Sequence, residues 1–187
     1  MGGTGTSETR LVVLRGPSGA GKSTTARRLR EHLGRSVALV EQDYLRRIVL
    51  KALDMPGGGA PGLISLVARY ALDLGLNVII EGILGANHHA AMLEELAADH
   101  AGRTTFYRFE VSWSETVRRH AGRPQADEFN VDEMRRWWHG HDPLLFVEER
   151  VVPETATLEA TVSRILSEAF ADDQDGSLRT AGDAEDG

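Results

Sequence analysis

Gly16 to Thr24, reading GPSGAGKST, is the stretch whose residue types and spacing most directly imply chemistry: Gly16, Gly21, Lys22 and Ser23 fill the places of G-x-x-x-x-G-K-[ST]. Glycines at those places permit a tight path whose N–H groups converge on an anion at a helix N-terminus, where free donors and the helix dipole favour negative charge. Lys22 can then reach the β- and γ-phosphates of a nucleoside triphosphate, and the Ser23 hydroxyl can ligate Mg²⁺. The cofactors expected are ATP and Mg²⁺, held by Gly16, Ser18, Gly19, Ala20, Gly21, Lys22, Ser23 and Thr24.

A bound triphosphate needs something to receive or release its γ-phosphoryl group. Asp43 follows the apolar run Val37 to Val40 and could accept the proton of an attacking hydroxyl; Arg46, one turn on, could hold the acceptor. The alternative is that Asp43 caps the next helix and Arg46 faces solvent. Glu81, after Val78-Ile79-Ile80, could join the Mg²⁺ water shell or bind an acceptor hydroxyl, and Gly82 beside it suggests a close backbone approach. Arg119 and Arg123 are four apart, so a closing lid could aim both at the charge that builds on the γ-oxygens; a solvated basic helix end is the alternative. Arg135 and Arg136 are weaker candidates for phosphate or acceptor contacts. Trp137 and Trp138 would point about 100° apart on a helix, so one could shield the site or pack on the lid. The pairs His88-His89 and His139/His141 lack the i, i+4 spacing of a helical zinc pair. Pro153-Glu154-Thr155-Ala156 is placed to line a base pocket.

These residues require elements to position them. Residues 10–15, 36–40, 76–80, 104–110 and 146–152 read as short, largely apolar strands, as expected of strands covered on both faces. Between them lie a helix over 22–33, a helical piece to about residue 53, a loop over 55–62, and an amphipathic helix from Leu63 closed by Gly75. A helix follows from an Asn87 cap to about Asp99, then one capped by Ser112 or Ser114, one over 130–140, and a last one over 157–170. This alternation predicts an α/β fold: a five-stranded parallel, doubly wound sheet of the P-loop NTPase/kinase type, with a helical lid over about 118–141 and ligands at the carboxyl ends of the strands. The organisation expected is a disordered N-terminus over 1–9, one domain over 10–170, and an acidic disordered tail over 171–187, where six acids face Arg179 alone.

Composition narrows the function. A net charge of −7 argues against a long nucleic acid as partner, because such binding depends on neutralising phosphates. With no cysteine there is neither a disulfide framework nor a thiolate zinc site. No run of 18 apolar residues or charged-then-apolar leader is present, so no membrane partner and a cytoplasmic setting are expected; MGGTGT fits only a loose acylation pattern with no basic patch behind it.

The loop, Asp43-x-x-Arg46, VIIEG, and ETVRRHAGR followed by DEMRRWW together resemble the small P-loop kinases of the adenylate-kinase-like group, over roughly residues 10–170. The chain is most similar to the kinase domain of polynucleotide 5′-kinases, which implies Asp43 as base, Arg46 as acceptor contact, and Arg119 and Arg123 as lid arginines. Zeta toxins are similar in their Glu-Gly strand end, which implies an acceptor role for Glu81; chloramphenicol phosphotransferases and gluconate kinases share the general plan. Neither the attached phosphatase or ligase modules of repair kinases nor the longer body of zeta toxins is expected. The expectation is an ATP-dependent kinase acting on a hydroxyl of a small acceptor, such as a nucleoside, sugar or antibiotic-like compound, with the oligomeric state open. Alternatives are a polynucleotide 5′-end kinase, or a regulatory ATPase or nucleotide switch, although Asn-Lys-x-Asp and a switch Asp-x-x-Gly are absent.

Overall fold

A computed structural model of the chain describes residues 3–53, 55, 57–120, 135, 138 and 142–171. Five parallel strands form one sheet in the order β2-β3-β1-β4-β5: β1 (Arg10–Arg15), β2 (Val37–Glu41), β3 (Asn77–Gly82), β4 (Arg103–Glu110) and β5 (Arg150–Pro153). Helices α1 (Lys22–Leu33), α2 (Ala60–Asp73), α3 (Ala86–Asp99), α4 (Trp113–His120) and α5 (Leu158–Ala169) complete the fold. The sheet is the α/β doubly wound P-loop arrangement that the alternating pattern predicts.

Side-chain alternation along β1 explains the two layers. Val12 and Leu14 join Leu29 of α1 and Val162 and Ile165 of α5 on one face, while Leu11 and Val13 join Ile64, Leu72, Leu93 and Leu96 of α2 and α3 on the other. Every β1 residue is buried, and each apolar one contributes about 1.5–3 kcal/mol on this account. The strand that launches the glycine loop is thereby buried along its whole length and paired on both sides.

Several boundaries differ from the sequence expectation. The last strand is only Arg150–Pro153, because Glu149 turns its side chain into a buried ion network and its carboxylate accepts from the Leu144 N–H, which holds 144–149 out of the ladder. Helix α2 begins at Ala60 with Pro61 in its first turn, where a missing N–H costs nothing, so the predicted loop is shorter. Asn87 lies inside α3; the first α3 amide, Ala86 N–H, donates instead to the distant Asp142 carboxylate. Residues 3–9, expected to be disordered, are hydrogen-bonded in place: Thr4 Oγ1 and Gly5 N–H donate to Asp73, and Thr4 bridges to His100. Apart from Arg135 and Trp138, the predicted 130–140 helix, the lid beyond His120 and the 172–187 tail lie outside the described residues. Among the described residues no helix is long and apolar enough to cross a membrane.

Candidate active site

The glycine loop occupies the exit of β1, in the middle of the sheet. Gly16, Gly19 and Gly21 have φ of 140°, 86° and 96°, values that side chains rarely tolerate. At Gly16 a Cβ would also collide with the Phe109 carbonyl oxygen. Helix α1 starts directly after Gly21 with no side-chain cap and no acidic residue in its first turn, leaving its positive end to an anion. Lys22 is buried at this end, and its Nζ donates to the Pro17 carbonyl at 2.8 Å, across the mouth of the loop. The loop is thus a backbone cradle with one cation inside it, a fit to a nucleotide's phosphates.

Glu81, at the exit of the neighbouring β3, is in register with Leu14 on one side and Glu41 on the other. It is buried, and the Ser23 hydroxyl donates to its Oε1 at 3.1 Å. Burial raises its pKa above the ordinary carboxylate value, opposed by the Lys22 charge and the Ser23 hydrogen bond. A hydroxyl and a carboxylate joined at the lysine's side of the cradle form an oxygen pair suited to Mg²⁺ with its waters and phosphate oxygens. Gly82 does permit a close approach: a Cβ there would strike the Gln42 side chain.

Asp43 sits two residues beyond β2, exposed, with Arg46 Nη2 at 2.8 Å and Arg47 Nη1 at 3.2 Å. It makes no capping hydrogen bond to the following π-helical turn, Tyr44–Val49, so the cap reading fails on geometry. Arg46 reaches on to the Ala52 carbonyl and closes that turn. Asp43 and Arg46 therefore meet, as their spacing suggested, at the same edge of the sheet as the cradle.

The β4 and β5 exits lie on the other side of the loop. Arg119 Nε donates to Glu115 at 2.6 Å and its Nη2 to the Glu154 carbonyl at 2.9 Å, while Arg118 pairs with Glu115. Arg119 is thereby placed at the rim of the β4–β5 side; Arg123, Arg136, Trp137, His139 and His141 lie outside the described residues. Ser112 caps α4, its hydroxyl accepting from Glu115 N–H, and both its N–H and hydroxyl donate to the Glu154 carboxylate, which lowers that group's pKa. A cavity of about 430 Å³ opens here, bordered by Gly16, Pro17, Phe109, Pro153, Glu154 and Trp138. Its size suits a small ligand, and two of the four residues expected to line a base pocket do border it. Trp138 packs edge-on to Trp113, with Arg135 over both rings.

Sequence reasoning missed the framework beneath these groups. Arg15, 1% exposed, donates through Nε to the Leu84 carbonyl, through Nη2 to Asp142 Oδ2 at 2.8 Å and through Nη1 to Glu149 at 3.0 Å; Glu149 also meets Arg108. Gln42 accepts from the Leu84 N–H and its amide meets the fully buried His89. Gly16 N–H donates to the Ile83 carbonyl. Ile83 and Leu84, the latter strained at φ 46°, thus tie the exits of β1, β2 and β3 together. The only sequence signal was a charged residue ending an otherwise apolar strand, Arg15, and an amide beside a candidate base, Gln42.

A family model described as AAA domain matches residues 11–138. Among solved structures, the APS kinase CysC of Mycobacterium tuberculosis, in complex with AMPPNP and APS, is 17% identical with a TM-score of 0.67, covering 86% of this chain and 96% of its own. A gluconokinase from Sinorhizobium meliloti is 16% identical with a TM-score of 0.60, covering 94% and 99%. A chain of the Pnkp1/Rnl/Hen1 RNA repair complex is 19% identical with a TM-score of 0.51, covering 69% of this chain and 42% of its own. At these identities the likeness is one of fold. No curated protein matches the chain in sequence.

Proposed function

The chain belongs to the AAA-domain family of P-loop proteins, and from that premise we propose that it is an ATP-dependent kinase transferring the γ-phosphoryl group to a hydroxyl of a small acceptor. The observation that carries this reading is the Asp43–Arg46 pair at the β2 exit, set at the same sheet edge as the Ser23–Glu81 pair and the glycine cradle. A solvent-reached carboxylate paired with an arginine at the carboxyl end of the sheet is the arrangement that a hydroxyl acceptor would need. The fold likeness to an APS kinase and a gluconokinase supports the same reading.

In this reading the base and sugar lie in the cavity on the β4–β5 side and the acceptor on the β2–β3 side, with the γ-phosphate between them. The cradle amides and Lys22 hold the phosphates, and Ser23 and Glu81 are the residues that would hold Mg²⁺. Bound metal supplies neutralisation of the charge shared by the β- and γ-oxygens. Asp43 takes the acceptor's proton as its oxygen attacks in line; Arg46 orients the acceptor. Arg119 and Arg123 stabilise the transferring group from the lid.

Acceptor dependence tests the proposal. Purified protein with Mg²⁺ and ATP, incubated with nucleosides, sugars, sugar acids and antibiotics, is expected to form ADP in step with one or more products heavier by a phosphoryl group. ADP formation at an undiminished rate without any hydroxyl compound, and no phosphorylated product, would place the protein among regulatory ATPases instead.

A further inference from the structure

We propose that Gln42 is the positioning residue of the proton acceptor: its buried amide fixes the backbone at Asp43 relative to the glycine cradle. This rests on the kinase reading above. In-line transfer is sensitive to placement, and a displacement of about 1 Å lowers a rate about 10²-fold. Asp43 therefore needs a rigid support, and its own side-chain contacts are poor ones. The carboxylate is 60% exposed, and exposed ion pairs such as those it makes with Arg46 and Arg47 constrain little. The β2–β3 register ends at Glu41 and Glu81, so Asp43 lies past the last ladder contact.

Gln42 supplies the support. It directly precedes Asp43 and is 3% exposed. Its Oε1 accepts from Leu84 N–H at 3.1 Å, and its Nε2 lies 3.3 Å from Nε2 of His89, a fully buried residue in the first turn of α3. The side chain also lies so close to Gly82 that a Cβ there would strike it. The connection continues inward: the Leu84 carbonyl accepts from Arg15 Nε at 3.1 Å, and the Ile83 carbonyl accepts from the N–H of Gly16, the first residue of the cradle. Gln42, Leu84 and Ile83 thus join the β2 exit to the β1 exit across the intervening β3.

The chemistry of the chain of bonds suits holding rather than reacting. An amide neither takes up nor releases a proton near neutral pH, and Gln42 is buried, so it acts through Asp43 and not on the acceptor. Leu84, fully buried, keeps φ at 46°, a conformation that an L residue retains only where its surroundings enforce it. Losing the Gln42 oxygen would leave the buried Leu84 N–H without that acceptor, and the β2 exit would lose its tie to the cradle.

The test uses the full chain with Mg²⁺, well below the melting temperature of every variant, and compares Gln42→Met, which cannot accept from Leu84, with Gln42→Glu, which still can. Backbone ¹⁵N relaxation of the AMPPNP complex is expected to show the Asp43 amide rigid in wild type and Gln42→Glu, with an order parameter of about 0.85, and falling toward about 0.6 in Gln42→Met while Val13 in β1 stays rigid. An unchanged order parameter at Asp43, or an equal fall at Val13, overturns the inference. Kinetics with ATP and the compound that takes up most phosphate in the screen above give the second readout. Gln42→Met is expected to lower kcat about 10²-fold with the KM for ATP unchanged, Gln42→Glu to stay within about tenfold of wild type, and Gln42→Met to add no further loss in an Asp43→Asn background. A full additional loss in that background, equal losses in the two Gln42 variants, or a raised KM for ATP with kcat unchanged overturns the inference, because Gln42 then acts elsewhere than through Asp43. Asp43→Asn transferring at the wild-type rate, or no compound taking up phosphate, is instead a failure of the kinase reading, and the order parameters still decide whether Gln42 holds the Asp43 backbone.

Discussion

Replacing Arg15 by Met probes the framework on which the site is built. The side chain is 2% exposed and its guanidinium meets Asp142 at 2.8 Å and Glu149 at 3.0 Å, with Glu149 itself only 3% exposed. Methionine fills similar space but leaves a buried carboxylate with fewer partners. Breaking a buried pair from one side costs about 3–5 kcal/mol. Glu149 keeps Arg108 at 3.2 Å and the Leu144 N–H at 2.9 Å, so the lower end, about 3 kcal/mol, is expected. For a chain of this size that corresponds to a fall in Tm of about 6–12 °C. Differential scanning calorimetry of wild type, Arg15→Met and Arg15→Met with Glu149→Gln measures it. The double variant is expected to recover part of the loss, because the stranded charge is gone. A single variant within about 2 °C of wild type, or a double variant no better than the single, would refute the claim that this network anchors the glycine loop to the 142–149 segment.

Glu81 gives a pH signature. Its folded pKa lies above the ordinary value because of burial, so its effect on stability is most favourable at low pH and is lost as pH rises through the folded pKa. Thermal melts of Glu81→Gln and wild type are expected to show the variant gaining on the wild type between pH 4 and pH 8; parallel curves would mean that the carboxylate is not desolvated. Gly16→Ala should weaken AMPPNP binding more than tenfold in calorimetry, since the left-handed φ and the Phe109 carbonyl leave no room for a methyl group, and unchanged affinity would count against the cradle. Gln42→Leu removes the acceptor for the buried Leu84 N–H and should cost about 1–3 kcal/mol in urea unfolding; a smaller loss would mean that the staple between the β2 and β3 exits is weak.

Local signals made the nucleotide half of the site legible. The glycine pattern names its own conformations, and the structure places positive φ at three of those glycines. Nearly continuous apolar runs identified β1, β2 and β3 because parallel strands covered on both faces need them. The fifth strand and the α3 cap were misread for the opposite reason: Glu149 and Asp142 act on Arg15 and Ala86, residues far away in sequence, and no local pattern encodes that pairing. Asp43–Arg46 was readable because its two members share one turn, whereas the Gln42–Leu84–Arg15 connection spans three strand exits and emerges only when the sheet order sets β3 beside β1 and β2. The pinned residues 3–9 were misjudged on composition, since small polar residues read as tail until Asp73 supplies the acceptor for Thr4 and Gly5.

The fate of the γ-phosphate in a single turnover tests the central claim most directly. With γ-labelled ATP and an accepted hydroxyl compound, wild type is expected to deliver label to the acceptor, and Asp43→Asn to bind ATP with similar affinity while transferring about 10²-fold more slowly or worse. Label passing to water in both proteins at equal rates would contradict the account.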